Sequence, residues 1–419
     1  MGEPLRTGRL SRLGRLATLG PRTAVAALRQ GLGAEDSEAV GQVLEETLGQ
    51  LKAGSLKLGQ IFAQVADDLP AASRARLGRL YAQAPPMPGA LAVLDSLPPG
   101  AFSSFEPEPF AAASLGQVHA ARLVDGTEVA VKLQYPGVGE ALRADLDLLG
   151  RAATTVTGGG ALVDVSTYLT AICQDLMGEL DYLAEADRRD LLAETLAAWD
   201  DLVVPRVHRD LSGPTALTLD LLGGPTLHQW CDSGASPAAR QRVAERLLRA
   251  VVGPPLAGVV NADAHPGNFV VREGSLGLLD FGAVRPYAHA DGLRALLEGL
   301  LITPAPTGCA DRLAAAGFVL DLPTARRARF AQQVADVLRP LFAGPYNFEQ
   351  RSAMKGLGLI KQRHPLDTLH LHLSSDAIAL MRALLGLHHG LRRLAVPVDL
   401  APALRQVLEC APPRALSPR

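Results

Sequence analysis

The sequence predicts a helix-rich α+β fold, because two kinds of apolar periodicity occupy different parts of its 419 residues. Apolar and polar residues alternate in the middle of the chain, as they do in half-buried strands. Apolar residues recur at three- to four-residue spacing elsewhere, as they do in amphipathic helices. The strand patterns cover residues 110–134, 202–207 and 215–222, and the helical patterns cover residues 36–66, 163–192, 237–256 and nearly everything after Ala288.

Composition excludes several classes of protein. The formal net charge is −2 and aromatic residues make up 4% of the chain, so neither charge nor stacking surface indicates a nucleic-acid partner. No apolar run reaches the roughly 18 residues of a transmembrane helix. The N-terminus lacks the apolar core and cleavage site of a secretory signal. The four cysteines have no C-x-x-C spacing and fit a reducing compartment: Cys173, Cys231, Cys309 and Cys410.

Residues 1–34 are predicted to form a basic amphipathic or flexible arm. Arginines at every third position alternate with leucines in this arm: Arg6, Arg9, Arg12 and Arg15. One interpretation is a helix that lies on an anionic membrane surface through its cations and its leucine stripe. The other is a solvated basic arm, and the sequence favours neither.

Residues 35–109 combine a helical pattern with a Pro-rich linker. The helical part contains Leu56-Lys57-Leu58-Gly59-Gln60. A lysine between leucines is most often a surface residue. Gly59, however, costs about 1 kcal/mol in a helix interior relative to alanine, which indicates a close approach to the backbone there. Lys57 and Gln60 are therefore candidates to meet phosphates.

Residues 110–134 are predicted to form a strand, a tight turn at Asp125-Gly126 and a second strand. The strand V-A-V-K ends at Lys132, and it matches the strand whose lysine contacts nucleotide phosphates in kinases. The loop that would cover those phosphates reads AAAS, from Ala111, Ala112 and Ala113 to Ser114. Alanine disfavours the positive φ angles that glycine adopts, so this loop is expected to be stiffer than a glycine-rich one.

Two further segments complete the predicted nucleotide site. The helical pattern 163–192 places Asp181 and Glu185 four residues apart, on one face of a helix. Charged residues on a helix face are usually solvated, but Glu185 is also a candidate partner for Lys132. The strand before Gly223 leads into a hinge whose backbone groups are candidates to bind adenine, notably at Leu219 and Leu221.

The stretch from Asn261 to Gly282 carries the predicted phosphotransfer chemistry. It contains D-x-x-x-x-N, from Asp263 to Asn268, and then, after an apolar strand, D-F-G from Asp280. Mg²⁺ prefers hard oxygen ligands, which the Asn268 amide and the Asp280 carboxylate supply. Asp263 is left to face the attacking hydroxyl or water. Each motif alone is weak, but together and in this order they indicate a protein-kinase-like site.

Six motifs in this order resemble the UbiB family of atypical, protein-kinase-like proteins, and most closely its branch associated with coenzyme Q biosynthesis. The resemblance covers about residues 33–394, and its motifs are K-x-G-Q (57–60), AAAS (111–114), V-A-V-K (129–132), E-L-D-Y (179–182), D-x-H-P-G-N (263–268) and DFG (280–282). It implies a bilobal kinase-like fold, with an N-lobe at 110–222 and a helical C-lobe at 223–419. It also implies that the helical extension 35–109 folds over the active site.

The resemblance carries roles to individual residues. It makes Lys132 the phosphate-contacting lysine with Glu185 as its ion-pair partner, and Asp263 the catalytic-loop acid. It makes Asn268 and Asp280 the metal ligands. Lys57 and Gln60 become residues that enter the active site, with Glu179 and Asp181 as their partners. One departure is Asn261, where many members have histidine, and we expect it to tune the loop without loss of activity.

The predicted function is that of an atypical kinase or ATPase that uses Mg²⁺ with ATP or ADP and supports isoprenoid-quinone metabolism. The expected location is cytoplasmic and peripheral to the inner membrane face. The expected partners are an anionic membrane surface and quinone-biosynthesis enzymes or lipid precursors. Two alternatives stay open, namely a genuine protein or small-molecule kinase and a non-catalytic scaffold gated by nucleotide.

Overall fold

A computed structural model describes the chain from residue 91 onward, with gaps. The described residues are 91, 93–94, 97–113, 115–140, 142–143, 177–302, 308–350, 353–363, 367 and 370–411. The chain divides into two compact units, one made of Met1–Met87 with Tyr135–Gly160 and the other of Pro88–Gln134 with Ala161–Arg419. All strands and helices named below belong to the second unit. The domain boundaries predicted at residues 34, 109 and 222 stay predictions.

The second unit contains both strands and helices, as the sequence predicts. Its strands are β1 (Phe102–Phe105), β2 (Ala111–Ala113), β3 (Gly116–Leu123), β4 (Glu128–Gln134), β5 (Leu202–Val203), β6 (Ala216–Asp220), β7 (Val259–Asn261), β8 (Phe269–Arg272), β9 (Ser275–Leu278), β10 (Val284–Pro286), β11 (Phe318–Leu320), β12 (Tyr346–Asn347), β13 (Leu371–Leu373) and β14 (Pro397–Val398). Its helices are α1 (Tyr182–Leu196), α2 (Leu227–Trp230), α3 (Pro237–Leu256), α4 (Ala290–Ile302), α5 (Cys309–Ala315), α6 (Thr324–Leu338), α7 (Ala353–Arg363), α8 (Ser375–Leu394) and α9 (Leu400–Cys410).

The N-terminal sheet is antiparallel and five-stranded, in the order β1-β3-β4-β6 with β2 paired to β3. The predicted hairpin of β3 and β4 is confirmed, and Gly126 adopts φ +88° in its turn. Val129, Val131 and Leu133 alternate along β4 and are all buried. Burying each such side chain contributes about 1.5–3 kcal/mol, which fixes the register of β4 and the direction of the intervening Lys132.

The helical pattern that contains Glu185 is interrupted before Tyr182, because Met177 and Gly178 are helical and a new helix, α1, begins at Tyr182. Glu179 and Leu180 form a turn, and Asp181 has an extended backbone with φ −107°. The Asp181 side chain accepts a hydrogen bond from the Ala184 N–H at 3.0 Å, so it caps α1. The expectation that Asp181 shares a helix face with Glu185 is therefore wrong, because aspartate competes for exposed N–H groups at helix starts.

The C-terminal part of the unit places the two predicted catalytic segments side by side. Strand β7 pairs with β10, while β8 pairs with β9, which lies parallel to β5. The D-x-x-x-x-N segment lies between β7 and β8, and DFG lies between β9 and β10. The apolar strand predicted to deliver Asp280 is thus confirmed as β9. Within the described ranges, no helix has the length and apolar character needed to cross a bilayer.

Candidate active site

Lys132 and Glu185 form a buried ion pair between β4 and α1. Lys132 Nζ lies 2.9 Å from Glu185 Oε1 and 2.8 Å from Oε2, so the contact is bidentate. The side chains are 13% and 1% exposed. The ammonium also lies 4.9 Å from the ring centroid of Tyr182, the first residue of α1. The pairing predicted from the sequence is present, and it holds the lysine in one position on the sheet.

The charge of Lys132 is set by two opposing effects. Burial alone would lower the pKa of the ammonium, but the carboxylates of Glu185 and Asp280 raise it, and the net pKa lies above its ordinary value. Lys132 therefore stays protonated at neutral pH. The Asp280 carboxylate, at the start of DFG, is thus one of the charges that favour the ammonium form of Lys132.

The predicted alanine loop begins as a strand. Ala111, Ala112 and Ala113 pair in register with residues of β3, down to Ala113 opposite Gly116. A side chain at Gly116 would overlap the Leu133 carbonyl of the neighbouring strand, so only glycine allows this approach. Ser114 lies outside the described residues. The three alanines thus form an ordered strand that leads to the turn, in place of an open glycine-rich loop.

The sheet uses one backbone group of the predicted hinge. Leu219 pairs with Ala130 in the ladder of β4 and β6. The ladder extends one step further, because the Leu221 N–H donates to the Glu128 carbonyl at 3.0 Å. The sheet therefore uses the Leu221 N–H, and the Leu221 carbonyl stays a predicted adenine-binding group. Leu222 is the next hinge residue, and its side chain lies against the backbone of Gly277 on β9.

The catalytic-loop segment is held by its own polar groups. Asp263 is buried. The Asn268 Nδ2 donates to the Asp263 carbonyl at 3.0 Å, and His265 Nδ1 accepts from the Gly267 N–H at 3.0 Å. Because its amide nitrogen binds the backbone, Asn268 retains its amide oxygen as the group with which it can bind a cation. The loop is therefore ordered by hydrogen bonds on both sides of its turn.

Asn261 connects the catalytic loop to the DFG motif. Its Oδ1 accepts from the Asp263 N–H at 3.0 Å, and its Nδ2 donates to the Asp280 carbonyl at 3.3 Å. The Leu279 N–H also donates to the Asn268 carbonyl at 2.9 Å. The structure thus brings together Asp263, Asn268 and Asp280, which are separated in sequence. An asparagine at position 261 retains the loop-orienting function that the sequence predicts for this position.

We expect the Asn261→Ala variant to lose about 1–3 kcal/mol of folding free energy, because two hydrogen bonds are removed. Turnover should fall as well, because the variant loses the side chain that links the backbone of Asp263 to that of Asp280. Asn347→Ala is the matched control. Asn347 Oδ1, at the end of β12, also accepts two backbone N–H groups, at 2.9 Å from Glu349 and 3.3 Å from Gln350 in the turn that follows. Chemical denaturation and steady-state turnover of both variants test this, and equal turnover in the two would contradict it.

Sequence reasoning missed Arg188. Its Nη1 donates to the Gly178 carbonyl at 2.9 Å and to the Gly282 carbonyl at 3.2 Å. Arg188 follows Glu185 by one helical turn, so the helix that positions Lys132 is tied directly to DFG. The two acceptors are backbone carbonyls, and the second lies far along the chain, so no local pattern distinguishes this arginine from a surface residue.

The predicted entry of Lys57 and Gln60 into the site lies outside the described residues. Of their expected partners, Glu179 is buried against Gly282, where an added Cβ would lie 2.8 Å from Glu179 Cγ. Asp181 is the cap of α1. The role of these two acids toward Lys57 and Gln60 stays a prediction.

Comparison with known proteins gives matches to one family of sequences and to a solved structure. The family model of the ABC1 atypical kinase-like domain matches residues 93–302. A similar relative is "Atypical kinase coq-8, mitochondrial" of Caenorhabditis elegans, 34% identical over 197 residues, which are 44% of this chain and 25% of that protein. Another is "Atypical kinase COQ8B, mitochondrial" of Rattus norvegicus, 36% identical over 188 residues, which are 44% of this chain and 35% of that protein. The chain therefore spans only about a quarter to a third of the length of these two relatives.

One similar solved structure is that of Rv3197 from Mycobacterium tuberculosis in complex with erythromycin. It is 25% identical in sequence and covers 91% of this chain and 97% of its own, with a TM-score of 0.60. This fold is therefore shared over most of both chains.

Proposed function

This chain belongs to the ABC1 atypical kinase-like family, that is, to the UbiB family, and from that premise we propose that it is an atypical kinase or ATPase that uses a magnesium complex of ATP or ADP. The family model spans residues 93–302, half of the chain, and includes the segments that carry Lys132, Glu185 and Asp280. The observation that carries the proposal is the bidentate, buried pair of Lys132 and Glu185, the latter on a helix that Arg188 ties to the DFG motif. A charged lysine held at that position suits the phosphates of a nucleotide.

The proposed nucleotide contacts follow from the positions of the side chains. Lys132 binds the α- and β-phosphates, and the turn after Ala113, with Ser114, covers them. Leu219 contributes to the adenine pocket through its side chain and Leu221 through its carbonyl, and the N–H donor of the hinge is that of Leu222.

Asn268 and Asp280 are the proposed ligands of Mg²⁺. Both offer hard oxygen atoms, which is the donor type that Mg²⁺ requires. The described residues contain no cluster of three or more ligating side chains, and Mg²⁺ in nucleotide sites takes its other ligands from phosphates and water. When bound, the cation neutralises charge on the phosphates.

The protein's own side chains carry out the other parts of phosphoryl transfer. Asp263 orients a water molecule or a small hydroxyl acceptor for in-line attack on the γ-phosphoryl group, and accepts its proton. Lys132 stabilises the negative charge on the nucleotide during transfer. Asn261 keeps Asp263 aligned with Asp280. Lys57 and Gln60 are proposed to enter the site where a peptide substrate would otherwise lie, which favours water or a small acceptor.

The proposed biological process is isoprenoid-quinone biosynthesis of the ubiquinone type, or lipid handling, at a membrane surface. The relatives named as atypical kinases coq-8 and COQ8B support the quinone link. The basic pattern of residues 1–34 supports peripheral attachment to an anionic membrane, at its cytoplasmic face. Partners would then be quinone-biosynthesis enzymes or lipid precursors.

The experiment that tests this function is phosphate release with Mg²⁺ and ATP, measured with and without anionic liposomes. We expect Asp280→Asn to abolish magnesium-dependent hydrolysis, because the variant loses a charged metal ligand. Asp311→Asn is the control, since Asp311 is an exposed acid that pairs with Arg327 at 3.7 Å. Full turnover by Asp280→Asn would reject the assignment. Nucleotide binding without turnover in the unaltered chain would favour the scaffold, and transfer to a peptide would favour a genuine kinase.

A further inference from the structure

Tyr182 has a buried hydroxyl group whose hydrogen-bonding capacity is unused. Tyr182 is 0% exposed, and its hydroxyl has no hydrogen-bond partner within the described part of the chain. Buried tyrosines normally bond their hydroxyl to a protein group or to water. A buried polar group that is left unbonded carries its full desolvation cost, so this position calls for an explanation.

The hydroxyl lies on the face of the sheet that carries Lys132. Its oxygen is 3.0 Å from the point where a Cβ on Gly116 would be. Gly116 and Val118 share one face of β3, because side chains alternate along a strand, and Val118 lies opposite Lys132. Gly116 also begins β3 at the turn that follows the alanine strand. The hydroxyl is therefore placed between the lysine and the proposed phosphate-covering turn.

The surroundings of Tyr182 keep its hydroxyl a neutral hydrogen-bond donor beside a cation. The Lys132 ammonium lies 4.9 Å from the ring centroid. Burial raises the pKa of the phenol, and Glu185, Asp280 and Glu179 raise it further against the opposing effect of Lys132. The group is thus a neutral O–H donor at physiological pH, next to a cation. A neutral donor and a cation can share one anionic oxygen, and Gly116 has no side chain that would occupy the space beside the hydroxyl.

We propose that the Tyr182 hydroxyl donates a hydrogen bond to a phosphate oxygen of the bound nucleotide, beside the Lys132 ammonium. This inference rests on the proposed function, because it needs a nucleotide in the site. It makes Tyr182 a nucleotide-binding residue that the strand and loop motifs do not identify. It also explains why a tyrosine buries its hydroxyl beside a glycine, where a larger residue would fill the space.

Tyr182→Phe is the decisive variant, since it keeps the ring and its contact with Lys132 and removes only the hydroxyl. Isothermal titration calorimetry should give a Kd for Mg-ADP about tenfold weaker than that of the unaltered chain, as for the loss of one hydrogen bond to a charged group. The Kd for adenosine, which has no phosphate, should not change. The melting temperature without nucleotide should stay the same or rise, because no protein hydrogen bond is lost.

Tyr287→Phe is the matched control. Tyr287 is 1% exposed, but its hydroxyl donates to the Ala316 carbonyl at 3.1 Å, away from the site. It should lower the melting temperature and leave the Kd for Mg-ADP unchanged. An unchanged Kd in Tyr182→Phe, equal weakening of adenosine and Mg-ADP, or a lower melting temperature would each overturn the inference. Absence of Mg-ADP binding by the unaltered chain would overturn the proposed function together with it.

Discussion

Replacing Lys132 with methionine should lower the free energy of unfolding by about 3–5 kcal/mol, because it leaves the buried Glu185 carboxylate without its cation. Glu185 is 1% exposed, so water cannot replace the ammonium at 2.8 Å. Nucleotide binding should be lost as well, because the variant removes the cation proposed to bind the phosphates. Equilibrium urea unfolding and calorimetry with Mg-ADP measure the two effects.

A double variant separates stability from binding. Lys132→Met combined with Glu185→Leu removes both charges, and buried ion pairs replaced by apolar residues of similar volume commonly keep or gain stability. The double variant should therefore recover most of the stability lost in Lys132→Met, yet still fail to bind nucleotide. If it bound Mg-ADP as the unaltered chain does, Lys132 would have no part in nucleotide binding.

An exposed ion pair on the same sheet provides the control. Arg122 lies 2.6 Å from Glu128, and their side chains are 49% and 59% exposed. Arg122→Met should change the free energy of unfolding by less than about 1 kcal/mol, because solvent screens the pair. If Arg122→Met and Lys132→Met lowered the free energy of unfolding by similar amounts, burial would not explain the large effect expected for Lys132→Met.

The parts of the fold that sequence predicts are those governed by short periodicity. Val129, Val131 and Leu133 face one side of β4 and alternate with Ala130 and Lys132, so the direction of Lys132 follows from the pattern of the strand itself. The turn at Asp125-Gly126 likewise follows from local chemistry, because glycine accepts positive φ. The pairing of Lys132 with Glu185 is longer in range and was predictable because the motif order supplied it.

The parts that sequence does not predict depend on competition or on distance along the chain. Asp181 fits a helix interior by spacing and a helix cap by chemistry, and the cap prevails. The position of Leu221 before Gly223 suggests a hinge residue with a free N–H, but that N–H bonds to the Glu128 carbonyl of β4. Arg188 and Gly282 are 94 residues apart, so no local pattern reports their contact. Tertiary packing decides each of these cases.

Gly386 is a further residue whose importance only packing reveals. It lies in the middle of α8, where a Cβ would be 2.5 Å from the Ala264 carbonyl oxygen. Ala264 follows Asp263 directly in the catalytic loop. The helix therefore supports the loop through a backbone contact that no side chain at position 386 permits. His389, three residues later on α8, stacks with His265 of the same loop at a centroid distance of 6.0 Å.

Gly386→Ala should reduce both stability and turnover. Alanine gains about 1 kcal/mol over glycine in a helix interior. Forcing an extra carbon into a packed contact costs about 1–3 kcal/mol, and here the neighbour is backbone, so the cost should exceed the gain. The loop must shift, and a displacement near 1 Å at a reacting group reduces rate by about a hundredfold. Phosphate release and thermal unfolding measure the two losses.

Gly390→Ala is the matched control on the same helix. Its Cβ would lie 2.5 Å from Leu247 Cδ2, the far end of a flexible side chain. That methyl group can rotate away, so the gain in helix propensity should persist and turnover should stay unchanged. Equal turnover in both variants would show that α8 does not position the catalytic loop. A selective loss in Gly386→Ala would mean that the orientation of Asp263 depends on a helix more than a hundred residues further along the chain, as well as on Asn261 beside it.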